Sequence, residues 1–95
     1  MIRTETVSAN ATNKALGTTD NHQNLYVYVS GSTLGSGSLS VSVRENGGGG
    51  DWISIDTAIP LGASYKYEIG TDLEVSYTLS GATSPDFTLL VTTGL

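Results

Sequence analysis

From residue 24 onward, large apolar residues recur at every second position. "NLYVYVS" sets Leu25, Val27 and Val29 on one face and Tyr26 and Tyr28 on the other. "SLSVSVRE" turns Leu39, Val41 and Val43 inward against Ser40, Ser42 and Arg44. "DWISID" offers Ile53 and Ile55 to one face, opposed by Trp52, Ser54 and Asp56, and "SYKYEIG" alternates Tyr65, Tyr67 and Ile69 with Lys66 and Glu68. "LEVSYTLS" points Leu73, Val75, Tyr77 and Leu79 inward, and "FTLLVTT" does the same with Phe87, Leu89 and Val91 while Leu90 faces out. A period of two marks strands with one face in a core, so these runs predict six strands. Between them lie "SGSTLGSG", "NGGGG", "AIPLGA", "GTD" and "SGATSPD", whose Gly, Pro, Ser and Asp content is turn chemistry. No stretch carries a helical period.

The first 23 residues break the pattern. "IRTETVSA" fits a first strand, but "NATNKALGTTDNHQ" is polar and holds one large apolar residue, Leu16. This predicts a polar N-terminal arm over residues 1–23, ordered where it lies on a neighbour, and a domain over residues 24–95. The expected fold is a small all-β antiparallel sandwich of six to seven strands, Ig-like or jelly-roll-like.

Composition narrows the function. The chain has 95 residues, enough for one small domain. Nine acidic residues against four basic ones give a formal net charge of −5, without clustered Lys or Arg. That disfavours nucleic acid and anionic membrane as partners, because both are met by concentrated positive charge. Cysteine is absent, which removes disulfides and thiolate metal sites. No apolar run approaches the roughly 20 residues of a membrane span, and "MIRTETVSAN" lacks the apolar middle of a signal peptide.

Few residues carry chemistry. His22, the sole histidine, with Asp20 and a serine would formally make a triad, yet it stands in the most polar segment, where nothing predicts support for its ring. "GASYK" and "GSGSLS" begin like a nucleophile elbow and a dinucleotide loop, but the required glycines and following helices are missing. Glu45, Asp51, Asp56, Asp72 and Asp86 lie near strand ends without the spacing of a calcium loop. The expectation is therefore a non-enzymatic protein with neither cofactor nor metal.

Surfaces remain. Tyr26, Tyr28, Trp52, Leu90 and Leu16 are the candidates for contact with another protein, since large rigid side chains with a polar tip are enriched at interfaces. The glycine run from Gly47 to Gly50 reads as a flexible hairpin tip that lets Trp52 emerge at the start of its strand.

The order "LYVYVSG…GSGSLSVSVRENGGGGDWISID…YKYEIG…LEVSYTLSGATSPDFTLLV" resembles small β-sandwich virion structural proteins of tailed bacteriophages, over roughly residues 25–92. The shared features are a glycine-rich hairpin, a tryptophan opening the next strand, and "SGAT-S-P" before the last one. An arginine that those proteins often carry shortly before "LSGAT" is replaced here by the stretch Glu74 to Tyr77. The resemblance implies a capsid decoration or cement protein, made in the host cytoplasm and bound to the capsid exterior. Its implied partners are the major capsid protein or other virion proteins and copies of itself, with a trimer as the analogous state. The alternative it leaves is a carbohydrate- or receptor-binding module of a head fibre or tail, with Trp52 stacking on sugar and Asp51 and Glu45 binding hydroxyls.

Overall fold

The computed structural model describes residues 1–94. Its eight strands are β1 (Ile2–Val7), β2 (Ala11–Thr18), β3 (Asn24–Thr33), β4 (Ser38–Glu45), β5 (Ile53–Asp56), β6 (Ser64–Glu68), β7 (Leu73–Ser80) and β8 (Asp86–Gly94). They form two four-stranded sheets, β1-β8-β3-β6 and β2-β7-β4-β5, in which every pair is antiparallel. First pairs with last, second with seventh, third with sixth and fourth with fifth. The chain is thus one long hairpin whose tip is the β4–β5 turn, rolled so that successive pairs alternate between two layers. Contacts of β8 with β3 and of β7 with β4 close the roll. This is a jelly roll, an eight-stranded double sheet; the Ig-like option is set aside.

The six alternating runs all form strands, and their inward residues meet between the layers. Leu25, Val27, Val29, Leu39, Val41, Val43, Val75, Tyr77, Leu79, Phe87, Leu89 and Val91 are all buried, and the β5–β6 connection adds Ile59 and Ala63. Two inward assignments fail at the margin. Ile53 stays 67% exposed and Tyr65 39% exposed, because β5 and β6 are short edge strands with no further strand beside them.

The N-terminal arm is corrected. Residues 2–7 pair with β8 along six consecutive positions, and residues 11–18 pair with β7, so the two segments form one edge of each sheet. The count rises to eight strands, and residues 1–23 belong to the sandwich. Leu16 is buried in the core, 5% exposed, and is not available to a partner. Two features hide these strands in the sequence. The inward positions of β1 are Arg3, Glu5 and Val7, opposite Val91, Leu89 and Phe87, so charge stands where apolar residues are expected. In β2 the register shifts twice, around Asn13 at φ 46° and before Gly17 at φ 149°, which breaks the period.

The two lateral seams of the sandwich are closed differently. At the β1–β2 seam, the Glu5 carboxylate, 8% exposed as a residue, takes Lys14 at 2.5 Å and Arg3 at 3.0 Å. Lys14 first and Arg3 second hold its carboxyl below the usual carboxylate range, against the opposing effect of burial. At the β5–β6 seam the Tyr67 hydroxyl donates to Asp56 Oδ2 at 2.7 Å.

Candidate interaction surfaces

Outward residues of the β1-β8-β3-β6 sheet follow from register. One row across the strands is Ile2, Thr92, Tyr26 and Lys66; the next is Thr4, Leu90, Tyr28 and Ser64; a third holds Thr6, Thr88 and Ser30. Tyr28 and Leu90 are direct cross-strand partners, close enough to act as one apolar unit. Tyr28 is 38% exposed, while Tyr26 and Leu90 are half-buried. The Tyr26 ring lies over Gly94, where an added Cβ would come within 3.2 Å of it. The structure thus gathers three of the sequence candidates, Tyr26, Tyr28 and Leu90, on one face and adds Ile2, 81% exposed, which the sequence reading missed. The signal was available: Ile2 alternates with Arg3, so once Arg3 points inward, Ile2 must point out. The β1, β8 and β3 rows carry no charge; Lys66 and Glu68 stand only on the β6 edge.

Trp52 is not part of this face. It belongs to the opposite sheet, where the Arg44 guanidinium covers its ring at 4.2 Å from the centroid. Arg44 Nε also donates to Glu74 Oε2 at 2.6 Å, so the indole is half-buried under a fixed cation rather than projecting freely. The glycine hairpin is pinned at its near end. Asn46 N–H donates to the Asp72 carbonyl at 3.1 Å, its side-chain amide donates to Asp72 Oδ1 at 3.1 Å, and Gly47 N–H donates to Glu74 Oε1 at 3.2 Å. Arg44, then the Gly47 amide, hold the Glu74 carboxyl below its ordinary range. Gly47 takes φ 74°, which suits glycine, whereas Gly49 and Gly50 have open space around them and stay exposed. The tip beyond Gly48 retains freedom; its root does not.

The remaining polar candidates disperse. His22 Nδ1 lies 3.2 Å from Thr93 Oγ1, while Asp20 Oδ1 accepts from Thr18 Oγ1 at 2.7 Å, so the imidazole is oriented by a threonine. Among the described residues there is no group of three or more His, Asp or Glu placed to share a metal ion, and no enclosed pocket. The antiparallel order puts the loops β2–β3, β4–β5 and β6–β7 at one end of the roll, with Asp20, Asp51 and Asp72. Asp56 and Asp86 stand at the other end.

Compared with family models, curated proteins and solved structures, the chain matches none of them.

Proposed function

We propose that this protein is a non-enzymatic structural component of a virus particle, a capsid decoration or cement protein that binds the outer shell through the outward face of the β1-β8-β3-β6 sheet. The observation that carries the reading is that face: Ile2, Leu90, Tyr26 and Tyr28 set among threonines, uncharged across three strands. Jelly rolls serve as viral capsid and lectin domains, which is support by analogy of fold. Area selects the kind of partner. With strands about 4.8 Å apart and a rise of about 3.3 Å per residue, the face spans roughly 400 Å², about half of what one partner contributes to a standard interface. A lone dimer through it would be weak. A shell offers many equivalent seats at fixed spacing, so each copy adds a modest increment and neighbouring copies add more between themselves. An N-terminal strap plays no part in this mechanism, since residues 2–18 are strands of the fold.

The test is a pair of variants on particles of the virus encoding the chain. Tyr28→Asp places an unpaired charge at the centre of the face and should abolish saturable binding while leaving the thermal melt intact. Trp52→Ala, on the other sheet, should leave binding unchanged. Undiminished occupancy by the Tyr28→Asp protein would refute the face; loss of binding with Trp52→Ala, together with recognition of glycans, would transfer the function to the carbohydrate-binding reading.

A further inference from the structure

We propose that Asn46 is a site of deamidation restrained by the fold, a one-way chemical change that unclips the glycine hairpin from the sheet. Asn46 is the one asparagine in the chain followed by glycine. Glycine matters because attack by its main-chain nitrogen on the preceding carboxamide is not hindered by a Cβ, and space around Gly47 is open within 4 Å. The reaction needs only water. Gly47 N gives its proton to a solvent base and bonds to Asn46 Cγ, the Cγ–Nδ2 bond breaks, and ammonia leaves with that pair and a proton. The resulting five-membered succinimide is opened by water at either carbonyl, giving aspartate or isoaspartate. No oxidant or reductant enters.

The structure holds both reacting groups back. Gly47 N–H is committed to Glu74 Oε1 at 3.2 Å, and a carboxylate at that position opposes loss of the amide proton. The Asn46 carboxamide is committed to Asp72 Oδ1 at 3.1 Å, and the Asn46 amide to the Asp72 carbonyl at 3.1 Å. Both clamps must open before the nitrogen reaches Cγ. At the usual net value of a hydrogen bond, two of them slow the reaction on the order of tenfold or more relative to the unfolded chain. Once conversion occurs, the donor facing Asp72 becomes a carboxylate. Two like charges then replace a hydrogen bond at the root of the hairpin, and the isoaspartate product also lengthens the main chain. The segment leading to Trp52 is freed as a result. The change stands on different residues from the docking face and does not depend on it.

The full-length protein is incubated in mildly alkaline buffer, native and in urea, alongside Glu74→Gln and Asp72→Ala variants. Conversion is read by peptide mass mapping and by an isoaspartate assay, and hairpin release by Trp52 fluorescence anisotropy. Expected are conversion centred on Asn46, native protein slower than unfolded by about tenfold or more, both variants faster than wild type when folded, and all three equal in urea. Equal rates for native and unfolded wild type, variants no faster than wild type when folded, or faster conversion at the exposed Asn21 would overturn the proposal.

Discussion

Replacing Glu5 by glutamine should cost about 2 kcal/mol at neutral pH and remove one source of acid sensitivity. The magnitude lies between two limits. Removing one member of a fully buried ion pair costs about 3–5 kcal/mol, and removing an exposed one costs about 0–1 kcal/mol. Here the carboxylate is 9% exposed, while the Arg3 and Lys14 side chains are 47% and 51% exposed. An orphaned cation can therefore turn to water, which lowers the cost from the buried limit. For a domain of this size, 2 kcal/mol corresponds to a fall in Tm of about 8–16 °C. The pH signature separates lost charge from lost packing. The folded-state pKa of Glu5 is depressed, so its contribution is complete above the unfolded value of about 4.3 and is lost as pH falls through the folded value. Glutamine does not titrate. Wild type and variant should thus differ most between about pH 5 and 7 and converge on acidification. Urea unfolding followed by Trp52 fluorescence across that range measures the gap. A Lys14→Met variant should show a smaller loss, because Arg3 remains. A wild type to Glu5→Gln gap that is flat with pH would refute the ion-pair account and leave only packing.

Three further outcomes follow from the fold. Leu16→Ala should destabilise by about 2–5 kcal/mol, as deletion of a buried leucine does; an unchanged urea midpoint would restore residues 1–23 to the status of an arm. Gly31→Ala should destabilise strongly, because its Cβ would lie 2.4 Å from Phe87 Cα and 2.6 Å from the Asp86 carbonyl oxygen, where backbone cannot yield; wild-type melting would contradict that close approach. Tyr67→Phe should cost about 1–2 kcal/mol by removing the donor to Asp56. Burial, then that hydrogen bond, raises the Tyr67 pKa. Wild type should therefore lose stability relative to Tyr67→Phe above about pH 10, as the unfolded phenol ionises first, and parallel alkaline curves would count against it.

The strands from β3 to β8 were legible because each buries one face against the other layer, and burial writes a period of two into the residues. That reasoning fails where burial is satisfied by charge. Arg3 and Glu5 face inward at an edge, and their compensation arrives from Lys14 on the other sheet, a relation between distant positions that no local pattern contains. Asn13 and Gly17 then shift β2 by bulges, so its one core leucine stands without periodic neighbours. The candidate surface was legible by residue type and not by grouping. Tyr26, Tyr28 and Leu90 share a face only because β3 pairs with β8 in a register that sets Tyr28 opposite Leu90. Trp52 has the same chemistry but sits across the sandwich under Arg44, where strand order rather than composition decides.

Charge distribution bears on how such a module would sit among its neighbours. All four cations form ion pairs among the described residues, and these engage Glu5, Glu68 and Glu74. The other six carboxylates are uncompensated, and four of them, Asp20, Glu45, Asp51 and Asp72, lie at the end formed by the loops β2–β3, β4–β5 and β6–β7. Copies approaching through that end would repel, more strongly at low salt, whereas the uncharged face of β1, β8 and β3 brings no such penalty. Under the proposed function, attachment through the face should depend little on ionic strength, while crowding of copies on a particle should ease as salt rises. Occupancy measured against salt concentration distinguishes the two. Affinity of the first copies that falls steeply with salt would mean that charge, and not the Tyr28–Leu90 face, does the binding.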